Sequence, residues 1–265
     1  MSQSVFKAHK RIVVKIGSNV IASRENGLNE KRLQEIACEL SELIRNKIEV
    51  FIVSSGAILC GAKTMQLSDY PKTLPMKQAA AAVGQSYLMW AYEHLFMQHQ
   101  IKVAQILLTR ADLANKTRYL NAKNTLFALQ NNKILPIINE NDTVATEEIR
   151  FGDNDALAGQ VTSLVNATLL IILSDVDGLY TEDPRKSKKA EQIFRVEKIT
   201  KKIEQMSGGQ GQLGGTGGMA SKVATAKKVA AKGVTTLILN GTKKGLIQRA
   251  FHGEALGTVF LPHDM

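Results

Sequence analysis

Six short apolar runs recur along the chain, each about the length of one strand, and helical stretches separate them. Runs with apolar residues at nearly every position are typical of strands that are buried on both faces. Strands that alternate with helices pair in parallel, so the pattern predicts an α/β fold: a three-layer α/β/α sandwich around a mostly parallel central sheet. The runs cover residues 11–16, 49–53, 101–108, 134–138, 169–173 and 235–239.

Helices are predicted between these strands, most clearly at residues 33–44, where apolar residues are spaced three and four apart. The other predicted helices cover residues 76–98, 117–130, 154–164 and 219–232. The sequence has no proline-rich linker and no evident internal repeat. The simplest organisation is therefore one domain over residues 1–265, with two lobes that meet near residue 170.

The apolar runs, the N-terminus and the cysteines indicate the cellular compartment in which the protein is expected. No apolar run approaches the roughly 18 residues that a membrane span needs, and the N-terminus lacks the apolar stretch of a secretion signal. The two cysteines, Cys38 and Cys60, suit a reducing cytosol and exclude a disulfide scaffold or a four-thiolate zinc site. We therefore expect a cytoplasmic protein with no membrane contact.

The net charge of +10 is concentrated in one part of the chain. Residues 183–253 hold fifteen Lys or Arg and four Asp or Glu, whereas the rest holds nineteen and twenty. A basic region can indicate nucleic-acid binding, but this one carries only Phe194 and Phe251 as aromatic residues on which bases could stack. We do not expect a nucleic-acid partner, and the charge is compatible with nucleotide binding.

Two glycine motifs resemble nucleotide-binding loops but lack the required spacing or the required neighbouring elements. Residues 56–64 come close to a P-loop, but Lys63 does not directly follow Gly61, as the phosphate-binding lysine must. Residues 209–214 match a dinucleotide-binding fingerprint, yet no strand directly precedes them and no acidic residue occurs from 205 to 253 to hold a ribose. Both interpretations are rejected.

Small and polar residues follow four of the predicted strands: Lys15 to Gly17, Ser54 to Gly56, Asn139 to Asp142, and Ser174 with Asp175. In open parallel sheets, ligands bind beyond the carboxyl ends of the strands. These residues are therefore the candidate site.

Each candidate also has a simpler interpretation. Lys15 is either paired or functional, because an unpaired buried ammonium is costly, or it faces water on an edge. Ser55 could merely cap a helix. The residues at 139–142 and 152–155 could hold a substrate's ammonium group or a lysine, could form turns, or could bind a metal, although no His or Cys lies nearby.

A glycine-rich segment, residues 213–222, precedes the last long helix and carries Thr216, Ser221 and Lys222. Glycines let backbone N–H groups approach an anion, and the positive N-terminal end of the helix favours phosphate binding. The alternative is a flexible surface loop. The five histidines pair with no nucleophile motif.

These segments, in this order, resemble the amino acid kinase family, and within it the members that phosphorylate glutamate. The resemblance covers nearly the whole chain. It rests on VVKIGSNV (13–20), VSSGAI (53–58), AAVGQ (81–85), LLTRADL (107–113), INENDTVAT (138–146), GDNDAL (152–157), LSDVDGLYTEDPR (173–185) and GTGGMASK (215–222).

The resemblance implies an amino acid kinase-like fold and ATP-dependent phosphorylation of the γ-carboxylate of L-glutamate to glutamyl 5-phosphate, an early step of proline biosynthesis. A related kinase acting on another acid or phosphate is the alternative. In the family pattern, Lys15 and Lys222 flank the transferring phosphoryl group, and Asp155 orients both lysines. The implied glutamate-binding residues are Ser55, Gly56, Asn139, Asp142 and Asn154. The implied nucleotide-binding residues are Lys15, Gly17, Ser174, Asp175, Thr216, Gly217, Gly218, Met219, Ala220, Ser221 and Lys222.

The resemblance also implies ATP with Mg²⁺ carried on its phosphates and no dedicated protein metal site, and it implies that Gly17 lets main-chain N–H groups reach phosphoryl oxygens. Residues 1–170 would form an acceptor lobe and residues 171–265 a nucleotide lobe. A homo-oligomer, either a dimer or a tetramer, and feedback inhibition by proline are further expectations. Many members carry a C-terminal PUA domain, which we expect to be absent because the chain stops shortly after residues 257–261.

Overall fold

The computed structural model describes residues 6, 8–145, 154–208 and 218–262. Its strands are β1 (Arg11–Ile16), β2 (Ala22–Ser23), β3 (Gly27–Leu28), β4 (Glu49–Val53), β5 (Lys102–Leu108), β6 (Ile134–Glu140), β7 (Leu169–Ser174), β8 (Leu179–Tyr180), β9 (Gln192–Ile193), β10 (Arg195–Val196), β11 (Thr235–Asn240) and β12 (Thr258–Phe260). Two pairs of short strands, β2 with β3 and β8 with β9, form separate antiparallel ribbons.

Among the described residues, the other strands form one eight-stranded sheet in the order β10-β12-β11-β7-β1-β4-β6-β5. The six strands predicted from the apolar runs lie together in this sheet, and each pair of neighbours among them is parallel. This arrangement confirms the predicted parallel sheet. The short strand β12 pairs antiparallel with β11, and its three residues gave no pattern that could be recognised in the sequence.

The helices are α1 (Ser18–Ile21), α2 (Glu30–Arg45), α3 (Ala57–Thr64), α4 (Leu74–Met97), α5 (Arg110–Ala114), α6 (Lys116–Asn131), α7 (Asn154–Leu164), α8 (Lys201–Met206), α9 (Met219–Ala230) and α10 (Leu246–Phe251). The five long helices predicted from the sequence correspond to α2, α4, α6, α7 and α9, with bounds that differ by a few residues at most. Polar side chains cap the starts of several helices. At the start of α2, the side chain of Asn29 accepts a hydrogen bond from the N–H of Arg32.

Side-chain alternation along β1 assigns the helices to two layers. Ile12, Val14 and Ile16 pack into the hydrophobic cluster formed with α2, α4 and α10. Val13 packs into the opposite cluster, formed with α6, α7 and α9. Successive side chains of a strand point to opposite faces, so the sheet is covered on both sides and the predicted three-layer α/β/α arrangement is confirmed.

Helices α3 and α4 cross at unusually close range because two glycines meet there. A Cβ atom on Gly61 would lie 1.7 Å from the backbone oxygen of Ala80, and one on Gly84 would lie 1.8 Å from that of Ala57. No side chain can occupy these positions without moving a helix. The glycine that resembled part of a P-loop therefore serves helix packing, and the contact positions the start of α3 directly after β4.

The predicted boundary near residue 170 falls inside β7, which pairs with β1 in the same sheet. The division into lobes stays a prediction. Among the described residues, no helix is long and apolar enough to cross a membrane.

Candidate active site

Lys15 lies at the carboxyl end of β1 and shares the face of Val13, so its side chain points toward α7 and α9. The residue is 5% exposed, which excludes the alternative of an edge lysine in water. Neighbouring strands flank it on both sides, because Lys15 pairs in register with Val53 of β4 and with Ile172 of β7. A lysine in such a position needs an anionic partner.

Asp155 is that partner, and it also binds a second buried lysine. The Nζ atom of Lys15 lies 2.7 Å from Oδ1 of Asp155, and the Nζ atom of Lys222 lies 3.1 Å from Oδ2. The hydroxyl of Ser221 is 3.4 Å from the same Oδ2. Asp155 is fully buried and Lys222 is 4% exposed. We call this group, Lys15, Asp155 and Lys222, the lysine bridge.

The carboxylate of the lysine bridge is ionised despite its burial. Burial by itself raises the pKa of Asp155, but the ammonium groups of Lys15 and Lys222 outweigh it and hold the pKa of this carboxyl below its ordinary value. The group of three therefore carries a net charge of about +1 in a site that little water reaches, where electrostatic interactions with an anion are strong.

Close packing of α7 against α9 holds the two ends of the lysine bridge together. A Cβ atom on Gly159, one turn after Asp155, would lie 2.9 Å from Cγ2 of Thr225, which is almost one turn after Lys222. A larger residue at Gly159 would push the helices apart and lengthen the contact between Asp155 and Lys222.

A second group of side chains lies beside the lysine bridge, because Asn154 directly precedes Asp155 at the start of α7. We call this group, Ser55, Gln85, Asn139 and Asn154, the amide cluster. The Nδ2 atom of Asn154 donates to the carbonyl oxygen of Ser54 at 2.6 Å, to Oγ of Ser55 at 3.0 Å and to Oδ1 of Asn139 at 2.9 Å. The side chain of Asn139 in turn donates to Oε1 of Gln85 at 2.8 Å. The carboxyl ends of β4 and β6 are thus connected to α7 through side chains that can also bind a polar ligand.

The turn after β4 adopts a conformation that favours glycine. Gly56 has a φ of +98°, in the left-handed region, and it precedes the first residue of α3. The hydroxyl of Ser54 is fully buried and lies 2.8 Å from the hydroxyl of Tyr92 on α4, so Ser54 has a structural role. Ser55, which points to Asn154, is the serine of this turn that belongs to the amide cluster.

Asp142 lies two residues after the end of β6, and its carboxyl differs from that of Asp155. Burial raises the pKa of Asp142 to about 6. A carboxylate in this state gains from a cationic ligand, such as an ammonium group.

Gly17 follows β1 directly, and its role in bringing main-chain N–H groups to phosphoryl oxygens stays a prediction. Its main-chain N–H donates to the carbonyl oxygen of Leu173 at 3.0 Å, so this amide is engaged between β1 and β7 and is not a free donor for phosphoryl oxygens. A Cβ atom at Gly17 would lie 3.0 Å from the same oxygen and 3.8 Å from Nζ of Lys15. The glycine therefore permits close approach of the two strands beside the lysine.

At the end of β7, Ser174 and Asp175 contact each other and the chain after β1. The hydroxyl of Ser174 donates to Asp175 at 3.3 Å, and the side chain of Asn19 donates to the other oxygen of Asp175 at 2.9 Å. Burial opposes ionisation, but these hydrogen bonds and the charge of Lys222 hold the pKa of Asp175 below its ordinary value. Ser174 and Asp175 thus lie at the same strand ends as the lysine bridge.

A second polar group, which was not predicted from the sequence, lies at these strand ends. Asn240, the last residue of β11, is in register with Ser174 and donates to Asp177 at 3.1 Å. Lys243 forms an ion pair with the same carboxylate at 2.5 Å. Asn240 also follows an apolar strand, so the rule that polar residues mark strand ends would have identified it. Gln85 ends the segment AAVGQ (81–85), which resembles the family, but nothing in the pattern of residues around it indicated a site.

The start of α9 brings the described part of the glycine-rich segment to the same place. Gly218 is the N-cap, and Met219, Ala220, Ser221 and Lys222 form the first turn. Thr216 and Gly217 lie outside the described residues. The predicted sites thus converge where their residues are described: Lys15, Asp155 and Lys222 on one side, and Ser55, Asn139 and Asn154 on the other.

A parallel sheet with a cationic pair at its strand ends, an amide cluster on one side and a helix N-terminus on the other is typical of an enzyme that transfers a phosphoryl group between two anions. The chain belongs to the amino acid kinase family, whose model matches residues 10–240. A glutamate 5-kinase of Citrifermentans bemidjiense is 50% identical over 262 residues, which cover 99% of this chain and 70% of that protein.

Solved structures of low identity share the fold. A UMP kinase from Bacillus anthracis is 17% identical, with a TM-score of 0.61 and coverage of 96% of both chains. An isopentenyl phosphate kinase from T. acidophilum is 16% identical, with a TM-score of 0.61 and coverage of 94% of this chain and 99% of that one. At this identity, the likeness confirms the amino acid kinase-like architecture alone.

Proposed function

We propose that the chain is a glutamate 5-kinase, which phosphorylates the γ-carboxylate of L-glutamate with ATP and so forms glutamyl 5-phosphate for proline biosynthesis. The lysine bridge beside the amide cluster is the observation that carries this proposal, because it offers adjacent places for a phosphoryl group and a polar acceptor. Half of the residues are identical to those of a glutamate 5-kinase over nearly the whole chain.

The chemistry needs no general base. A carboxylate is already ionised at neutral pH and can attack the γ-phosphorus directly, so the enzyme's task is to bring two anions into line. Lys15 and Lys222 would neutralise the charge of the transferring phosphoryl group from two sides. Asp155 would orient both lysines through its two oxygens, which are 2.7 and 3.1 Å from their Nζ atoms.

The acceptor would bind at the amide cluster. Asn139, Asn154 and Ser55 offer amide and hydroxyl groups to its polar atoms, and Gly56 brings backbone close to it. Asp142 would bind the α-ammonium group, whose positive charge would favour the ionised form of this carboxyl. The γ-carboxylate would then point to the lysine bridge, since Asn154 and Asp155 are adjacent.

The nucleotide would bind at the ends of β7 and β11 and at the start of α9, with Ser174, Asp175 and the segment from Thr216 to Lys222 around it. Residues 1–170 would thus form the acceptor lobe, and residues 171–265 the nucleotide lobe. Mg²⁺ bound to the triphosphate would supply charge neutralisation there. Among the described residues, no three His, Cys, Asp or Glu side chains are grouped as a protein metal site requires.

Feedback inhibition by proline, assembly into a dimer or tetramer and a cytoplasmic location belong to the same proposal. Proline shares the α-ammonium and α-carboxylate pattern of glutamate, so it would compete at the amide cluster and Asp142.

Steady-state release of ADP tests the proposal directly. The purified chain is assayed with ATP and, separately, L-glutamate, L-aspartate and UMP. We expect kcat/KM for glutamate to exceed the others by at least about 10²-fold, because a site built for one polar group pattern rejects acceptors that leave its buried polar groups unpaired. Faster turnover of aspartate or UMP would refute the glutamate assignment while leaving family membership intact.

A further inference from the structure

A cluster of opposite charges surrounds Tyr70, in the loop between α3 and α4. The guanidinium carbon of Arg24 lies 5.2 Å from the centroid of the Tyr70 ring, and the Nζ atom of Lys77 lies 6.0 Å from the same centroid. Cations at this distance are attracted to an aromatic face. One ring thus orients two cations from separate elements, the β2–β3 ribbon and the first turn of α4. We call Arg24, Tyr70 and Lys77 the cation cluster.

Neither cation of this cluster forms an ion pair within the part of the chain that the structure describes. Burial raises the pKa of the Tyr70 hydroxyl, the charge of Asp142 raises it further, and the charge of Arg24 lowers it. The cluster and Asp142 therefore lie close enough to act on one hydroxyl. Among the described residues, Arg24, Lys77 and Asp142 form no ion pairs, so their charges remain separate.

The cation cluster also borders the amide cluster. On one side, the β2–β3 ribbon that carries Arg24 packs on the turn after β4, since a Cβ atom on Gly56 would lie 3.6 Å from Cβ of Ala22. On the other side, Gln78, next to Lys77, reaches the carbonyl oxygen of Ala145 at 3.5 Å and so touches the loop that follows β6. Both flanks of the cluster thus contact segments that carry acceptor-site residues.

We propose that Arg24 and Lys77 bind the α-carboxylate of the acceptor amino acid and that Tyr70 positions them. This inference rests on the proposed function. An α-amino acid presents an ammonium and a carboxylate on one carbon, and Asp142 and the cation cluster present the opposite charges next to each other. The γ-carboxylate is left to face the lysine bridge. The pair of cations would make the enzyme specific for acceptors with a free α-carboxylate.

The test compares L-glutamate with its α-amide, which keeps the ammonium group and the γ-carboxylate but carries no charge at the α-carboxyl position. The two kcat/KM values are measured in Arg24→Gln, Lys77→Gln and the unchanged enzyme, and the inhibition constant of the amide replaces kcat/KM where its turnover is too slow. We expect each variant to lower kcat/KM for glutamate about 10- to 100-fold, mainly through KM, as for the loss of a hydrogen bond to a charged group. The effect on the amide should be much smaller, so discrimination between the two acceptors should fall.

Matched variants separate binding from structure. Arg45→Gln removes an exposed positive charge at the end of α2 and should leave discrimination unchanged. Tyr70→Phe keeps the aromatic face and should also keep discrimination, whereas Tyr70→Leu should lower it. Equal losses for glutamate and its amide in Arg24→Gln and Lys77→Gln, or losses no larger than in Arg45→Gln, would overturn the proposal.

Failure of the proposed function gives a different result. If the unchanged enzyme prefers aspartate, the same comparison with aspartate and its α-amide decides the role of the cation cluster. If the preferred acceptor is a phosphate without an α-carboxylate, such as UMP, both proposals are wrong.

Discussion

Replacing Asp155 with asparagine would remove the negative charge between two buried lysines while preserving the size of the side chain. Asp155 is fully buried, and Lys15 and Lys222 are about as inaccessible to water. The asparagine would carry no charge to offset the two ammonium groups, which lie in a region where a buried charge that loses an anionic partner is costly.

The magnitude follows from the two contacts. At an effective dielectric constant of about 20, unit charges 2.7 Å apart attract with about 6 kcal/mol, and charges 3.1 Å apart with about 5 kcal/mol. Desolvation of the three ions offsets most of this attraction in the intact protein. Breaking a buried ion pair by removing one partner nevertheless costs about 3–5 kcal/mol, and we expect Asp155→Asn to lower the free energy of unfolding by this amount at neutral pH.

Equilibrium unfolding in urea, followed by circular dichroism, measures the change. The effect has a defined pH dependence, because the pKa of Asp155 is lower in the folded state than its ordinary value of 3.8. The stabilisation is complete above the unfolded pKa and is lost as pH falls through the folded pKa, so the difference between the two proteins should shrink in strong acid. A change at neutral pH below about 1 kcal/mol would refute the argument that the carboxylate of Asp155 stabilises the two buried ammonium groups.

A triple variant distinguishes charge balance from a need for these particular side chains. Lys15→Met, Asp155→Leu and Lys222→Met together replace the bridge by apolar groups of similar volume, which is often neutral or stabilising. We expect the triple variant to be more stable than Asp155→Asn and to have no kinase activity.

Three further predictions concern catalysis, acceptor binding and packing. Lys222→Ala should lower kcat about 10²- to 10³-fold, as for loss of one charge-stabilising donor, and near-normal turnover would exclude its catalytic role. Because burial raises the pKa of Asp142 to about 6, its carboxyl is mostly ionised only above that pH. A plot of KM for glutamate against pH should therefore show KM rising as pH falls below about 6. Asp142→Asn should raise KM at neutral pH and abolish this pH dependence. Gly84→Ala would place a Cβ atom 1.8 Å from the backbone oxygen of Ala57 and should lower the free energy of unfolding by about 1–3 kcal/mol or more, whereas Gly233→Ala, with open space but a φ of +78°, should cost about 1 kcal/mol. Equal unfolding free energies for Gly84→Ala and the unchanged protein would contradict the close helix crossing.

The parts of the fold that could be predicted from the sequence are long elements in which apolar residues recur at the period of a strand or a helix. The six buried strands and five long helices are of this kind, because each position is apolar where it faces the core. The short strands β2, β3 and β12 contain two or three residues each, too few for any period to be recognised.

A related reason explains which candidate site residues can be recognised in the sequence. Lys15 was conspicuous because it is a charge inside an apolar run, and Asn139 and Asn154 because they follow or begin buried elements. Arg24, Tyr70 and Lys77 lie in unremarkable polar surroundings, and only the chain's path brings them together. The hydrogen bond of the Gly17 amide could not be predicted for the same reason, since it depends on Leu173, more than 150 residues away.

The start of α7 couples the two halves of the site, because Asn154 faces the amide cluster and Asp155 faces the lysines. Successive residues of a helix point about 100° apart, so one turn can hold an acceptor on one side and orient two cations on the other. A shift of α7 should therefore alter KM and kcat together. Gly159→Ala forces such a shift, because its Cβ atom would lie 2.9 Å from Cγ2 of Thr225, and we expect kcat to fall and KM for glutamate to rise in the same variant. Adding Thr225→Ala removes the opposing methyl group and should restore both constants; a change in KM alone, or no recovery in the double variant, would show that α7 does not couple the two groups.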